Sequence, residues 1–333
     1  MPVANLIKVS DIPYFDMSQA GGKFFGSLIF FGEGKWRSWL HVGGGNLEET
    51  GTIPAEGCYY GTVPERPTDL FLSFLDFILQ RASFSELKKP IAGIQDDLFN
   101  LSASLAKVAH IHKTRGSIGL GAGRMIITEI EYVFSICRSM IDLFQEVVAK
   151  LWEKVRFKEE YALQKKKLKT SFREMVWFQG KLSTQEELES RFGLPSVWAK
   201  FYLRHVDFFQ IIRVFRDNII HNGSQVQTVF EGDHDYLLNF HDSPFVGMGV
   251  WYDKERVSGD FVPLMPALAM VAYRTILICD DFAEMVTRTL EPGKPLVPGM
   301  TLFMRGFFNE HFTTVLDDAQ KRYLLGVEQG IRG

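Results

Sequence analysis

An arginine and a histidine stand five residues apart at the end of a strongly apolar run. The segment "RVFRDNIIHNG" (213–223) contains Arg216, Asp217 directly after it, and His221. A guanidinium keeps its proton and binds phosphate through two N–H groups, whereas an imidazole titrates near neutral pH. Beside one crevice, the two side chains could cleave a phosphodiester bond by neutralising charge and moving a proton, without a metal ion.

A helix must position these residues. The segment "PSVWAKFYLRHVDFFQIIRVFRDNIIHNG" begins at Pro195 and ends at Asn222-Gly223, residues typical of a helix start and a helix stop. At about 100° per residue, apolar side chains flank Arg216 on both sides. The sequence therefore predicts that Arg216 points into the apolar face and that His221 lies at its edge.

A purely structural interpretation of the same residues stays open. A histidine in the last turn of a helix is favoured by the helix dipole. An arginine on an apolar face needs a partner, because burying it unpaired costs several kcal/mol. That partner could be a core carboxylate such as Glu129 or Asp142.

The motif "FRDNIIHNG" resembles the R-x(4–6)-H signature of HEPN domains, in which a polar residue usually follows the arginine. The resemblance implies a helical bundle that forms a homodimer, with two motifs facing one shared cleft. It also implies a metal-independent endoribonuclease, often a toxin or an antiviral defence effector. Many relatives in that family have lost catalysis and serve as binding or assembly modules.

Carried over to this chain, the resemblance assigns roles to three residues. Arg216 would hold the scissile phosphate, His221 would act as general acid or base, and Asp217 would orient the pair. The implied products are a 2′,3′-cyclic phosphate and a 5′-hydroxyl. No metal and no cofactor is expected. Further predicted substrate contacts near the motif are Arg213, Asn218 and Asn222.

A basic segment is the best local candidate for binding RNA phosphates. "KVRFKEEYALQKKKLKTSFR" (154–173) holds eight basic and two acidic residues, a net charge of +6. Aromatic side chains within it could stack on bases. The alternative is a solvated helix face with extended lysines. The predicted phosphate contacts are Lys165, Lys166, Lys167 and Lys169, and the predicted stacking residues are Phe157, Tyr161 and Phe172.

Two other segments carry weaker signals. "GSIGLGAGR" (116–124) is glycine-rich and precedes a helix, but no strand comes before it and it lacks GK[ST], so an interhelical turn is predicted. "EGDHDYLLNFHD" (231–242) collects aspartates and histidines that could bind a divalent ion. Polar loop residues at a turn are the simpler interpretation of that segment.

The predicted fold class is mainly α, a HEPN-like bundle of long helices. Residues 1–66 are predicted as a β-rich extension, with two short strands around a Gly-Glu-Gly turn within 24–42. Residues 67–333 form the predicted helical domain, with a β excursion at about 225–253. Two S/T-x-x-E capping boxes are predicted, Ser83 with Glu86 and Thr184 with Glu187.

Composition narrows the class of protein. The chain has 333 residues, 46% of them hydrophobic, which is enough for a substantial core. A net charge of -3 gives no global sign of a nucleic-acid or membrane-surface protein. Three widely spaced cysteines fit a reducing compartment. Because 261–279 is interrupted by two prolines and an arginine, we expect no membrane span and a cytoplasmic location.

The functional hypothesis is therefore a homodimeric, metal-independent endoribonuclease that acts on RNA, with an antitoxin or another protein as a further partner. The main alternative is a catalytically inactive HEPN-like module that binds a partner protein or a nucleotide. A third alternative is an unrelated helical scaffold in which the motif occurs by chance.

Overall fold

The computed structural model describes residues 27–43, 46–158, 164–221, 226, 228–241, 244–258 and 260–328. The described chain is mainly helical with small sheets, which confirms the predicted fold class at that level. None of its helices is long and apolar enough to cross a membrane.

The helices are α1 Ser73–Arg81, α2 Lys88–Ile118, α3 Ala122–Lys154, α4 Phe172–Val176, α5 Gln185–Phe192, α6 Ser196–His221, α7 Leu264–Thr289 and α8 Asn309–Glu328. The strands are β1 Ser27–Gly32, β2 Lys35–Gly43, β3 Asn46–Thr50, β4 Gly57–Gly61, β5 Trp177–Phe178, β6 Lys181–Leu182, β7 Phe230–Glu231, β8 Tyr236–Asn239, β9 Phe261–Pro263 and β10 Thr301–Arg305. Helices α3 and α6 match the long helices that the apolar periodicity predicts.

The chain divides into two compact units. Unit 1 comprises Met1–Gln95, Asp142–Leu203 and Cys279–Asn309, and unit 2 comprises Asp96–Ile141, Arg204–Ile278 and Glu310–Gly333. The four longest helices, α2, α3, α6 and α7, contribute residues to both units.

A five-stranded sheet in unit 1 has the order β10-β4-β1-β2-β3. Strands β1 and β2 form the predicted hairpin, and its two turn residues, Glu33 and Gly34, both have positive φ angles (51° and 71°). Such a two-residue turn matches the natural twist of paired strands. The outer strand β10 comes from the far end of the sequence and pairs antiparallel with β4, a pairing that the sequence analysis did not predict.

A buried arginine holds one face of this sheet together. Arg305, only 2% exposed, donates to both carboxylate oxygens of Asp69 (3.2 and 2.8 Å) and is paired with Glu65. The Tyr59 hydroxyl also donates to Asp69 at 2.7 Å. Burial alone would raise the pKa of Asp69, but the bonds from Arg305 and Tyr59 outweigh it and hold that pKa below its usual value.

In unit 2, helices α3 and α6 pack side by side. The rings of Phe134 and Phe215 stack at 3.9 Å, and the Arg138 guanidinium lies 4.1 Å from the ring centre of Phe209. Arg138 follows Phe134 along α3, whereas its partner Phe209 precedes Phe215 along α6. The two helices therefore run antiparallel. The first turns of α3 therefore lie at the same end of unit 2 as the last turns of α6.

A three-stranded sheet of order β7-β8-β9 follows α6 in unit 2. Strands β7 and β8 lie within the predicted β excursion, and β9 lies beyond its predicted end. Asp235 joins this sheet to the next helix, because its carboxylate accepts a hydrogen bond from the Met265 N–H in the first turn of α7 (2.7 Å).

The two predicted capping boxes have different outcomes. Thr184 and Glu187 form one at the start of α5, as predicted. The box of Ser83 with Glu86 is wrong, because the Ser83 hydroxyl donates to the carbonyl of Leu79 at 2.5 Å and Glu86 pairs with Lys154.

The buried ion network predicts a large loss of stability on removal of its arginine. Arg305→Met leaves Asp69 buried without its main partner and should lower the free energy of unfolding by about 3–5 kcal/mol. Urea unfolding measures this change. The matched control is Arg37→Met, which breaks the exposed pair with Glu49 (2.8 Å) and should cost less than about 1 kcal/mol. Equal losses in the two variants would contradict a special role for the buried network.

Candidate functional site

The Arg216 side chain is 46% exposed, so the prediction that it points into the apolar face is wrong. Phe208, Phe209, Ile212 and Phe215 on α6 are buried as the helical wheel predicts. The next described side chains, from Arg216 to Ile219, are exposed or only partly buried. A helical wheel gives the direction of a side chain around the helix axis, but it does not show which other elements cover that side chain.

Asp217 lies beside Arg213 and Arg216, two of the three arginines on α6. Its carboxylate lies 3.3 Å from the Arg213 guanidinium, an i,i+4 pair, and 3.7 Å from the Arg216 guanidinium. Asp217 is 40% exposed and Arg213 is 20% exposed, so this cluster is at the surface. One carboxylate against two guanidinium groups leaves a net positive charge in this cluster.

Glu129, the core carboxylate of unit 2 that was considered as a partner for Arg216, is paired with other residues. Glu129 pairs with Lys107 and accepts a hydrogen bond from the Ser104 hydroxyl at 2.7 Å. In unit 1, Asp142 accepts one from the backbone N–H of Phe172 at 3.2 Å. The interpretation of Arg216 as one half of a core ion pair with Glu129 is therefore excluded.

His221 is the last residue of α6, four positions after Asp217 on the same helix. Positions four apart share one helix face, so the backbone places His221 on the Asp217 side of α6. The His221 side chain lies outside the described part of the chain, as does all of Asn222. The predicted substrate contact Asn218 is described and partly exposed.

Further arginines lie at the same end of unit 2 as the motif. Arg124 is exposed in the first turn of α3, which the antiparallel packing brings to the end of α6. Arg115, in the last turn of α2, lies 3.8 Å from Glu231 on β7. Because α2 leads into α3 through a single turn of 3-10 helix at Gly119–Gly121, the predicted interhelical turn is confirmed.

Sequence reasoning missed two arginines that contact the motif helix. Arg138 on α3 lies over Phe209, and Arg274 on α7 lies 4.3 Å from the ring centre of Phe208. Guanidinium groups stack favourably on aromatic faces. The sequence signal that could have identified them is an arginine inside an otherwise apolar helical pattern, as in "FSICRSMI" around Arg138.

Lys165 in the basic segment has a structural role that was not predicted. Its ammonium group donates to the carbonyls of Trp152 (2.7 Å) and Val155 at the end of α3. It also lies 4.9 Å from the ring centres of Trp152 and Phe157. Burial lowers the pKa of Lys165 to about 8. The two hydrogen bonds to carbonyls make Lys165 a cap for the end of α3.

The other predicted phosphate contacts are mostly exposed. Lys166 donates to the carbonyl of Ser190 at 2.7 Å, Lys167 lies 3.9 Å from Glu153, and the side chain of Lys169 is exposed. All belong to unit 1, whereas the Arg216 cluster belongs to unit 2. The segment 164–170 is not helical, so the alternative of a solvated helix face is wrong there.

The predicted stacking aromatics have mixed outcomes. Phe172 is fully buried and cannot stack on a base, so that prediction is wrong. Phe157 packs edge-on against Trp152 with ring centres 5.0 Å apart. Tyr161 lies outside the described residues.

The possible metal site in the acidic loop after α6 can be compared with the structure only at the described residues of that loop, which leave out Asp242. Among the described residues, no three or more His, Cys, Asp or Glu side chains are grouped as a metal ion would need. Burial raises the pKa of Asp235 to about 6, partly offset by hydrogen bonds from Met265 and Tyr236 and by His112. His241 contacts Asp260 at 3.2 Å.

Comparison with models of known protein families, with curated proteins and with solved structures finds no match.

The helix-capping role of Lys165 predicts a stability effect that the other lysines lack. Lys165→Ala removes hydrogen bonds from a charged donor to two carbonyls and should lower the free energy of unfolding by about 1–2 kcal/mol. Lys169→Ala, at an exposed position nearby, should change it by less than about 0.5 kcal/mol. Thermal unfolding of both variants at pH 7 measures the difference, and similar melting temperatures would contradict the capping role.

Proposed function

We propose that this chain is a metal-independent endoribonuclease of the HEPN type, with its reaction centre at the end of α6. The observation that carries the proposal is the exposed Arg216, 3.7 Å from Asp217 and one turn before the histidine that ends the helix. An arginine in a core ion pair would be unavailable to a substrate. An exposed guanidinium can bind a phosphate bidentately.

The proposed reaction needs only proton transfer and charge stabilisation. The 2′-hydroxyl of the RNA attacks the adjacent phosphorus while His221 as a base takes the hydroxyl proton, and the bond to the 5′-oxygen breaks. A proton returns to that oxygen, giving a 2′,3′-cyclic phosphate and a 5′-hydroxyl. Arg216 stabilises the charge that grows on the phosphate oxygens in the transition state. Asp217 acts as a positioning residue through Arg216.

Local charge supports an RNA substrate despite the negative net charge of the chain. Arg213 and Arg216 on α6, with Arg124 and Arg115 at the same end of unit 2, offer several cations to a phosphate backbone. Binding through such cations is sequence-tolerant and weakens with salt. The homodimer and an antitoxin or other protein partner belong to the same proposal, and sedimentation should give about twice the chain mass of 38.1 kDa.

Cleavage assays in EDTA test the proposed activity. A mixed pool of structured and single-stranded RNAs should be cut by the wild type to fragments with cyclic phosphate ends. Arg216→Ala and His221→Ala should each lower the rate by about 100-fold or more, the range for loss of a general base or of an electrostatic stabiliser. The matched control is Arg204→Ala, an exposed arginine three turns earlier on α6, which should cut at the wild-type rate.

Three results would contradict the activity. The first is a folded wild type that cuts no RNA in the pool, which would move the assignment to the inactive binding module. The second is cleavage that chelation abolishes. The third is an equal fall in the cleavage rate of Arg204→Ala and Arg216→Ala. Such a result would show that the positive charge of α6 matters in general and that Arg216 has no specific role.

The positioning role of Asp217 predicts a smaller effect. Asp217→Asn keeps the shape of the side chain but removes the charge that holds both arginines, so kcat should fall by about 3- to 10-fold with a stability change below about 0.5 kcal/mol. Asp207→Asn, exposed on the same helix, is the matched control and should leave kcat unchanged. An unchanged kcat in Asp217→Asn would show that Arg216 needs no orientation by Asp217.

A further inference from the structure

Unit 1 contains a pocket between its five-stranded sheet and the helices packed on it. The volume is about 410 Å³, within the usual range for a small-molecule site. The sheet contributes Leu28, Tyr60 and Leu302 to its walls, and Leu79 on α1 and Ile91 on α2 face them. Tyr60 is the register partner of Leu302, so the sheet residues share one face.

The pocket is a cleft that opens to solvent, since its lining residues Glu56, Lys88 and Ala92 are exposed. Apolar residues make up more than half of its lining. An apolar part of a ligand that displaces water from these residues gains free energy.

One wall of the pocket is fixed by a buried glutamine. Leu296, which lines the pocket, donates through its N–H to the carbonyl of Gln80 at 2.7 Å. The Gln80 side chain, 2% exposed, accepts from the Val297 N–H at 2.9 Å and donates to the carbonyl of Met300 at 2.9 Å. The loop at 296–300 is therefore held in place before a ligand binds, which lowers the entropic cost of binding.

The polar groups of the pocket define the class of ligand. Cys58, Ser83 and Gln95 are uncharged, and Gln95 contacts the Cys58 thiol. The Ser83 hydroxyl donates to Leu79, so its oxygen can still accept from a ligand. The charged lining residues Glu56 and Lys88 are exposed and opposite in sign, so they favour neither anions nor cations.

We propose that this pocket binds an uncharged, mainly apolar small molecule whose single hydrogen-bonding head lies against Cys58, Ser83 and Gln95. The site is separate from the proposed reaction centre, since all its lining residues belong to unit 1. Burial raises the pKa of Cys58 to about 11, so the thiol stays protonated at neutral pH and offers a ligand an uncharged contact.

Cys58 also supplies a reporter for the test. All three cysteines of the chain lie among the described residues, and Cys137 and Cys279 are fully buried, whereas Cys58 is partly exposed. In the native protein at pH 8, 4,4′-dithiodipyridine should modify one thiol per chain, slowly, because only a small fraction of Cys58 is thiolate at that pH. The variant Cys58→Ala should lose that modification.

The probe is N-phenyl-1-naphthylamine, an uncharged aromatic amine that fluoresces in apolar surroundings. It should bind the full chain saturably with one site, with the same affinity in 50 and 500 mM NaCl because no charge is involved. At saturation it should slow the modification of Cys58 at least tenfold. Ala92→Trp, at a lining position on α2, should weaken binding at least tenfold, and the exposed Asn100→Trp two turns later should not.

Absence of saturable binding by the wild type would overturn the proposal. So would probe binding that leaves the Cys58 rate unchanged, or that survives in folded Ala92→Trp. Should Ala92→Trp fail to fold, the thiol protection of the wild type decides alone. RNA cleavage plays no part in these readouts, so the pocket and the proposed ribonuclease fail independently.

Discussion

The stacking of Phe134 on Phe215 at 3.9 Å is the contact on which the geometry of the candidate site depends. Aromatic pairs of this kind contribute about 0.5–1.5 kcal/mol beyond the area that they bury. Together with Arg138 over Phe209, the stack fixes the register of α3 against α6 in unit 2. Phe215 is buried in this packing, and the next residue on α6, Arg216, is 46% exposed.

This position gives the motif arginine the properties that phosphate binding requires. A guanidinium on an apolar helix either meets a buried partner or reaches solvent, and here Glu129 is engaged by Lys107 and Ser104 while Arg216 is exposed. In unit 1 the guanidinium of Arg305 is instead buried and paired with the carboxylates of Asp69 and Glu65. The two arginines differ in surroundings, and of the two only Arg216 is accessible from solvent.

Local signals predicted much of the fold, and long-range contacts set the rest. The hairpin of β1 and β2, the capping box at Thr184 and the motif helix all follow from residues within one or two turns of each other. Strand β10 could not be predicted, since it pairs with β4 about 240 positions earlier. The helix cap by Lys165 depends on where the chain returns to the end of α3. In the candidate site, spacing identified Arg216 and Asp217. The exposure of Arg216 could not be predicted, because it depends on which other elements cover this part of α6.

A double-mutant cycle tests most directly whether Arg216 and His221 form one reaction centre. The rate of RNA cleavage in EDTA would be measured under single-turnover conditions for the wild type, both single alanine variants and the double variant. Residues that act as a unit are strongly non-additive, so the double variant should be no more than about threefold slower than the slower single variant. Losses that multiply, or a His221→Ala variant that cuts at the wild-type rate, would contradict a shared centre.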